Sequence, residues 1–146
     1  MSAPRPTLYV AEPPAAYVHK PTLVVDCSVL AGVLFQEPWQ EQARARMAGH
    51  HLRAPHLLVH EVCSVALKKA RRGASVAAVE GLARWQQLTI QLSEVDAGQT
   101  FELAQRYQLS AYDASYLWLA GELRCPLATF DQGLAQAAQQ HLGSLG

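Results

Sequence analysis

Two apolar runs in this chain each stop at an aspartate: Thr22-Leu-Val-Val25 ends at Asp26, and Leu127-Ala-Thr-Phe130 ends at Asp131. Both have the length of a buried strand, and a helical pattern follows each at once. Between them the chain alternates in the same way. Helices are predicted at Cys27–Phe35, Pro38–Ala48 and Leu57–Arg71, the second with proline in its first turn and Gly49 past its end. Gly73 stops the third, and Ser75 is expected to cap a fourth that runs to Gln87. Ala97–Tyr107, Tyr112–Leu123 and Gln132–Gln140 read as three more. Short strands are predicted at Leu52–Ala54, Thr89–Leu92 and Pro126–Thr129. Strands separated by one or more helices give an α/β domain with a mostly parallel sheet.

The first 20 residues break the pattern. They hold Pro4, Pro6, Pro13 and Pro14, with Pro21 directly before the first strand. Residues 1–20 therefore read as an extended arm, with Tyr9, Val10 and Tyr17 as an apolar foothold for docking. Residues 21–146 read as one domain. The chain has 146 residues, half of them hydrophobic, which suffices for a sizeable core. Three widely spaced cysteines, Cys27, Cys63 and Cys125, make no CxxC pair. A disulfide framework is not expected, and a reducing compartment is. No apolar run approaches the length of a membrane span, and no signal-peptide pattern opens the chain. The expectation is a soluble cytoplasmic protein.

Acids stand where apolar residues are expected. Glu61 lies in a helix with Leu57, Leu58 and Val65 on its own face. Asp113 lies in the first turn of the most apolar helix, where the dipole favours an anion. Asp26 and Asp131 sit at strand-to-helix junctions, the ends that form ligand crevices in parallel sheets. Each has an ordinary alternative: Asp26, Asp113 and Asp131 as helix caps, Glu61 or Asp113 in a salt bridge. If the four converge, their repulsion calls for a cation. Mg²⁺ or Mn²⁺ suits oxygen ligands and can lower the pKa of a water beside a phosphodiester. Ser28 and Thr129 flank the aspartates and can support a carboxylate by hydrogen bonds.

Net charge is zero, yet residues 1–43, 44–84 and 85–146 carry −2, +6 and −4. Lys68, Lys69, Arg71 and Arg72 form the densest basic cluster, suited either to a solvated helix end or to RNA phosphates. His50, His51, His56, His60 and Cys63 do not complete a zinc set. Tyr112, Tyr116 and Trp118 read as core or interface residues, and Trp39 and Trp85 as half exposed.

The pieces Val24-Val-Asp26-Cys-Ser28-Val-Leu, the helix with Glu61, Tyr112-Asp113-Ala-Ser-Tyr-Leu-Trp-Leu-Ala and Thr129-Phe-Asp131-Gln-Gly-Leu134 come in an order that resembles the PIN-domain family, and within it the VapC-type toxin ribonucleases. The resemblance covers residues 22–140. It implies a three-layer α/β/α fold with a short, mostly parallel sheet. It also implies a Mg²⁺- or Mn²⁺-dependent endoribonuclease, silenced by a cognate antitoxin and working as a homodimer. By position, Asp26, Glu61, Asp113 and Asp131 are the acidic quartet, with Ser28 and Thr129 as polar support. The alternatives are a non-catalytic PIN-like module that binds RNA or protein, and a DNA phosphodiesterase with the same acidic site. The long proline-rich arm and the absence of a β-branched last strand depart from the family pattern.

Overall fold

A computed structural model describes residues 3–13 and 21–145. Pro14 and Tyr17 of the arm lie outside the described residues. The elements follow in the order β1 (Tyr9–Ala11), β2 (Thr22–Val25), α1 (Cys27–Leu34), α2 (Gln40–Met47), β3 (His51–Pro55), α3 (Leu58–Arg71), α4 (Ser75–Gln87), β4 (Ile90–Ser93), α5 (Ala97–Tyr107), α6 (Ala111–Leu123), β5 (Leu127–Thr129) and α7 (Gln132–Gly143). The sheet order is β1-β5-β2-β3-β4. β2 is parallel to both β3 and β5, and β3 to β4; β1 alone runs antiparallel, against β5. Each parallel crossover carries two helices, giving a three-layer α/β/α domain.

The strand order places the crevice. The chain leaves β2 toward β3 on one side, and later returns from β4 to β5 on the other. Between β2 and β5 the winding reverses, and the loops beyond their C-terminal ends part. Asp26 is the first residue after β2, and Asp131 the second after β5.

α6 fills the centre of one layer. It is apolar around most of its circumference, with Ala114, Tyr116, Leu117, Leu119 and Ala120 buried, and it packs on β2, β3 and β5. A helix without a polar face belongs inside. Its first turn is fixed by Ser110, whose hydroxyl accepts the Asp113 N–H at 3.0 Å. Ser110 thus supplies the cap that the sequence left open for Asp113.

Four helix starts differ from expectation, those of α3 and α6 by one residue each. Pro38 lies in a turn, and α2 begins at Gln40. Ser75 is the first residue of α4 rather than its cap; Ala74 holds the capping position without a side-chain bond. The cause is the end of α3. Gly73 adopts φ +87°, its N–H bonds Ala70 O at 3.1 Å, and the Ala74 N–H bonds Lys69 O at 2.8 Å. This doubly bonded helix end sets the path through Ala74 before any serine cap can act.

α4 docks on the end of α1. The Phe35 ring lies so close to Gly81 that an added Cβ would stand 2.2 Å from it. Arg84 donates to Leu34 O at 2.7 Å. Gly32 likewise leaves room for the Trp39 indole, 2.7 Å from where a Cβ would be. Gly81→Ala is therefore expected to destabilise the fold by about 1–3 kcal/mol through overpacking. Gly143→Ala, which meets nothing within 4 Å, should change little. Thermal unfolding of both variants checks this; equal melting temperatures would show that Phe35 moves aside freely.

Candidate functional site

Asp26 is the best-held side chain at the crevice. It follows β2, caps α1, and is 6% exposed. Its Oδ1 accepts the Ser28 hydroxyl at 2.6 Å and the Val29 N–H at 3.2 Å. Its Oδ2 accepts the Thr129 hydroxyl at 2.5 Å. Burial nevertheless pushes its pKa up to about 6; those hydrogen bonds oppose the shift, and the charge of Asp113 adds to it.

The two hydroxyls do more than hold one carboxylate. Ser28 Oγ accepts the Phe130 N–H at 2.9 Å, and Thr129 Oγ1 accepts the Asp131 N–H at 2.9 Å. The junction after β2 and the junction after β5 are thereby tied by reciprocal bonds. Asp131 caps α7 through Leu134 N–H at 2.8 Å and is exposed. Both junction aspartates are thus helix caps; capping leaves Oδ2 of Asp26 facing Thr129.

Glu61 and Asp113 come from α3 and α6. Each is about half buried, and burial is the main cause of the raised pKa of both. Tyr116 donates its hydroxyl to Glu61 Oε1 at 2.6 Å, which opposes the shift, while the charge of Asp113 reinforces it. Asp113 in turn feels Asp131. Asp26, Glu61 and Asp113 therefore each sense another carboxylate of the set. Among the described residues, none of the four makes an ion pair with lysine or arginine.

Tyr116 is a site residue that sequence reasoning assigned to the core or an interface. It is both: 1% exposed, and the donor that fixes Glu61. The available signal was its spacing of three from Asp113, which puts both on one helix face. Its phenol pKa is raised, first by burial and then by Glu61, so it stays a donor. Cys27 also lies in this field; burial and the charges of Glu61 and Asp26 push its thiol up to about 12. It remains a neutral thiol at physiological pH.

Carboxylate oxygens are the donors at this centre, which suits a hard divalent ion. Such an ion would offset the burial that chiefly raises Asp26, Glu61 and Asp113, and the repulsion that adds to it. Among the described residues, no three His, Cys, Asp or Glu side chains close into a ready-made metal cage. The arrangement fits an ion that keeps several waters, as Mg²⁺ does with one or two carboxylates.

Two openings flank the acids. One is lined by Leu57, His60, Glu61, Ser64 and the exposed Tyr112. The other includes Ser28, Trp39 and Phe130, with Lys68, Lys69 and Arg72 from the end of α3. Arg71 does not line it. Lys69 is engaged by Glu37 and lies 5.6 Å from the Phe35 ring centroid. Trp118 is elsewhere, bonded to Gln99 Oε1 at 2.7 Å. His50 turns its ring to Ala48 O at 3.0 Å.

Comparison with known proteins identifies the family and the fold. The PIN domain family model matches residues 23–140. The VapC ribonuclease Mb0985 of Mycobacterium bovis is 34% identical over 122 residues, covering 80% of this chain and 91% of its own. Ribonuclease VapC3 of Pyrobaculum aerophilum is 32% identical over 121 residues, covering 78% and 92%. The crystal structure of PAE2754 from Pyrobaculum aerophilum superposes with a TM-score of 0.60 at 23% identity, over 80% of this chain and 84% of that one, and so shares the fold. The family match over residues 23–140, with relatives above 30% identity over about four fifths of the chain, means that this chain belongs to the PIN domain family, in its VapC group.

Proposed function

We propose that the chain is a metal-dependent endoribonuclease, the toxin of a toxin–antitoxin pair. The observation that carries this is the coupled set Asp26, Glu61 and Asp113, gathered at the switch point without a compensating lysine or arginine among the described residues. Likeness to proteins named VapC ribonucleases supports RNA as the substrate. Asp26, Glu61 and Asp113 would hold Mg²⁺ or Mn²⁺ directly or through water, with Asp131 completing the site or orienting the attacking water. The ion supplies positive charge for the phosphodiester and acidifies a water.

The chain's own residues do the positioning. Ser28 and Thr129 fix the Asp26 carboxylate so that no rotamer search precedes ion binding. Tyr116 does the same for Glu61. Asp113, freed from capping by Ser110, carries its charge into the crevice. Lys68 and Arg72 would attract RNA phosphates, with Lys69 and Arg71 as further members of the basic cluster. A cognate antitoxin and a homodimeric state are part of the same reading. No described helix is long and apolar enough to cross a membrane.

Incubation with a structured and an unstructured RNA tests the reading. Cleavage is expected in Mg²⁺ and not in excess EDTA. Asp26→Asn should reduce the rate by at least about 100-fold while the fold persists. Tyr116→Phe is expected to cost about 10-fold. Full activity in EDTA, or of Asp26→Asn, would refute the mechanism; RNA binding without cleavage would favour a binding module, and preference for DNA a deoxyribonuclease.

Stability of the metal-free protein provides a separate check. Asp26 titrates near 6 when folded, above its ordinary value of 3.8. Between those pH values the folded chain keeps a proton that the unfolded chain loses. Stability therefore falls as pH rises through this window. Asp26→Asn removes the effect, so in EDTA at pH 7.5 the variant should melt higher than the parent, and the difference should shrink toward pH 4. A variant that melts lower at both pH values would contradict the buried charge.

A further inference from the structure

The direction of β1 decides where the N-terminal arm goes. β1 is antiparallel to β5, with Tyr9 opposite Thr129 and Ala11 opposite Leu127. The residues before Tyr9 therefore continue past the C-terminal end of β5, the end at which Asp26 and Asp131 stand. On the other side of the strand, Glu12 pairs with Arg46 of α2 at 2.8 Å. Residues 9–12 are thus held to β5 and to α2.

Pro4, Arg5 and Pro6 consequently line the opening beside Ser28, a groove of about 590 Å³. Its lining mixes two chemistries. Trp39 and Phe130 stand edge to face, with ring centroids 6.3 Å apart. Arg5, Lys68 and Arg72 add positive charge, and among the described residues none of the three makes an ion pair. Lys69 is already balanced by Glu37. Ser28 belongs to both the groove and the Asp26 clamp, so the groove adjoins the acidic centre.

We infer that this groove holds an unpaired nucleotide next to the cleaved phosphodiester, and that the arm, through Arg5, is part of the substrate site. The inference deepens the ribonuclease reading and rests on it. The volume lies in the range of small-molecule sites. Aromatic rings beside unbalanced cations are the combination that binds single strands, the rings taking a base and the cations its phosphates. A base already paired in a duplex offers no free face to Phe130. The groove thus selects unstructured RNA, and Arg5 contributes to affinity rather than to the bond-breaking step.

Fluorescence anisotropy with a short unstructured RNA, on the Asp26→Asn protein, reads binding apart from cleavage. Adding Arg5→Ala is expected to weaken binding about fivefold at low salt and to reduce the salt slope by about one. Adding Phe130→Leu, which keeps the apolar volume, should cost about tenfold for a base-bearing oligonucleotide and little for an abasic one. In cleavage assays with intact Asp26, Arg5→Ala should act on KM rather than kcat. Unchanged affinity and salt slope in both variants would overturn the inference and leave the groove to a protein partner. Faster cleavage by Arg5→Ala would overturn it by showing the arm to be a cover. A chain that binds RNA through the groove but never cleaves it would count against the nuclease reading alone.

Discussion

A carboxylate kept charged inside a protein must be surrounded by donors, and Asp26 organises the crevice around that need. Two hydroxyls and one backbone N–H reach its oxygens, yet burial still wins and lifts its pKa to about 6. Ionising it at neutral pH costs the fold about 3 kcal/mol. The donors come from both sides of the switch point, Ser28 from the start of α1 and Thr129 from the end of β5. Their second bonds, to Phe130 and Asp131, then set the junction that follows β5. The same contacts that keep one charge in place therefore align the two strand ends on which the site is built.

Much of this was legible because it is local. A four-residue apolar run followed by an acid gives β2 and the start of α1, and α5 falls on its predicted residues. The α6 sequence is so apolar that only a central position suits it. What was not legible depends on tertiary partners or on backbone closure. Ser75 looks like a cap, but the path after Gly73 is already fixed by carbonyls of α3. Asp113 could have capped its own helix; Ser110, three residues earlier, does so instead. Tyr116 gave no sign of its bond to Glu61, which lies 55 residues away on another helix.

Electrostatic roles divide in the same way. The basic cluster at the end of α3 reads as one unit in sequence, yet helical geometry splits it. Lys68 and Arg72, four apart, line the groove with Lys69, whereas Arg71 does not. Lys69 is drawn to Glu37, a residue in the turn after α1, and no spacing rule links those two positions. The acids show the converse. Their separate helices and loops hide a mutual influence that emerges only when α3, α6 and the two junctions are packed together.

β5 is only three residues long and wholly buried, yet it would be an outermost strand without the arm. Outermost strands present free amide and carbonyl groups, and chains that leave them bare tend to zip together into aggregates. β1 covers that edge with Tyr9, Val10 and Ala11. Trimming the chain beyond Tyr9 thus bares the free edge of β5, and a purification handle cleaved too far in would leave a chain prone to self-association.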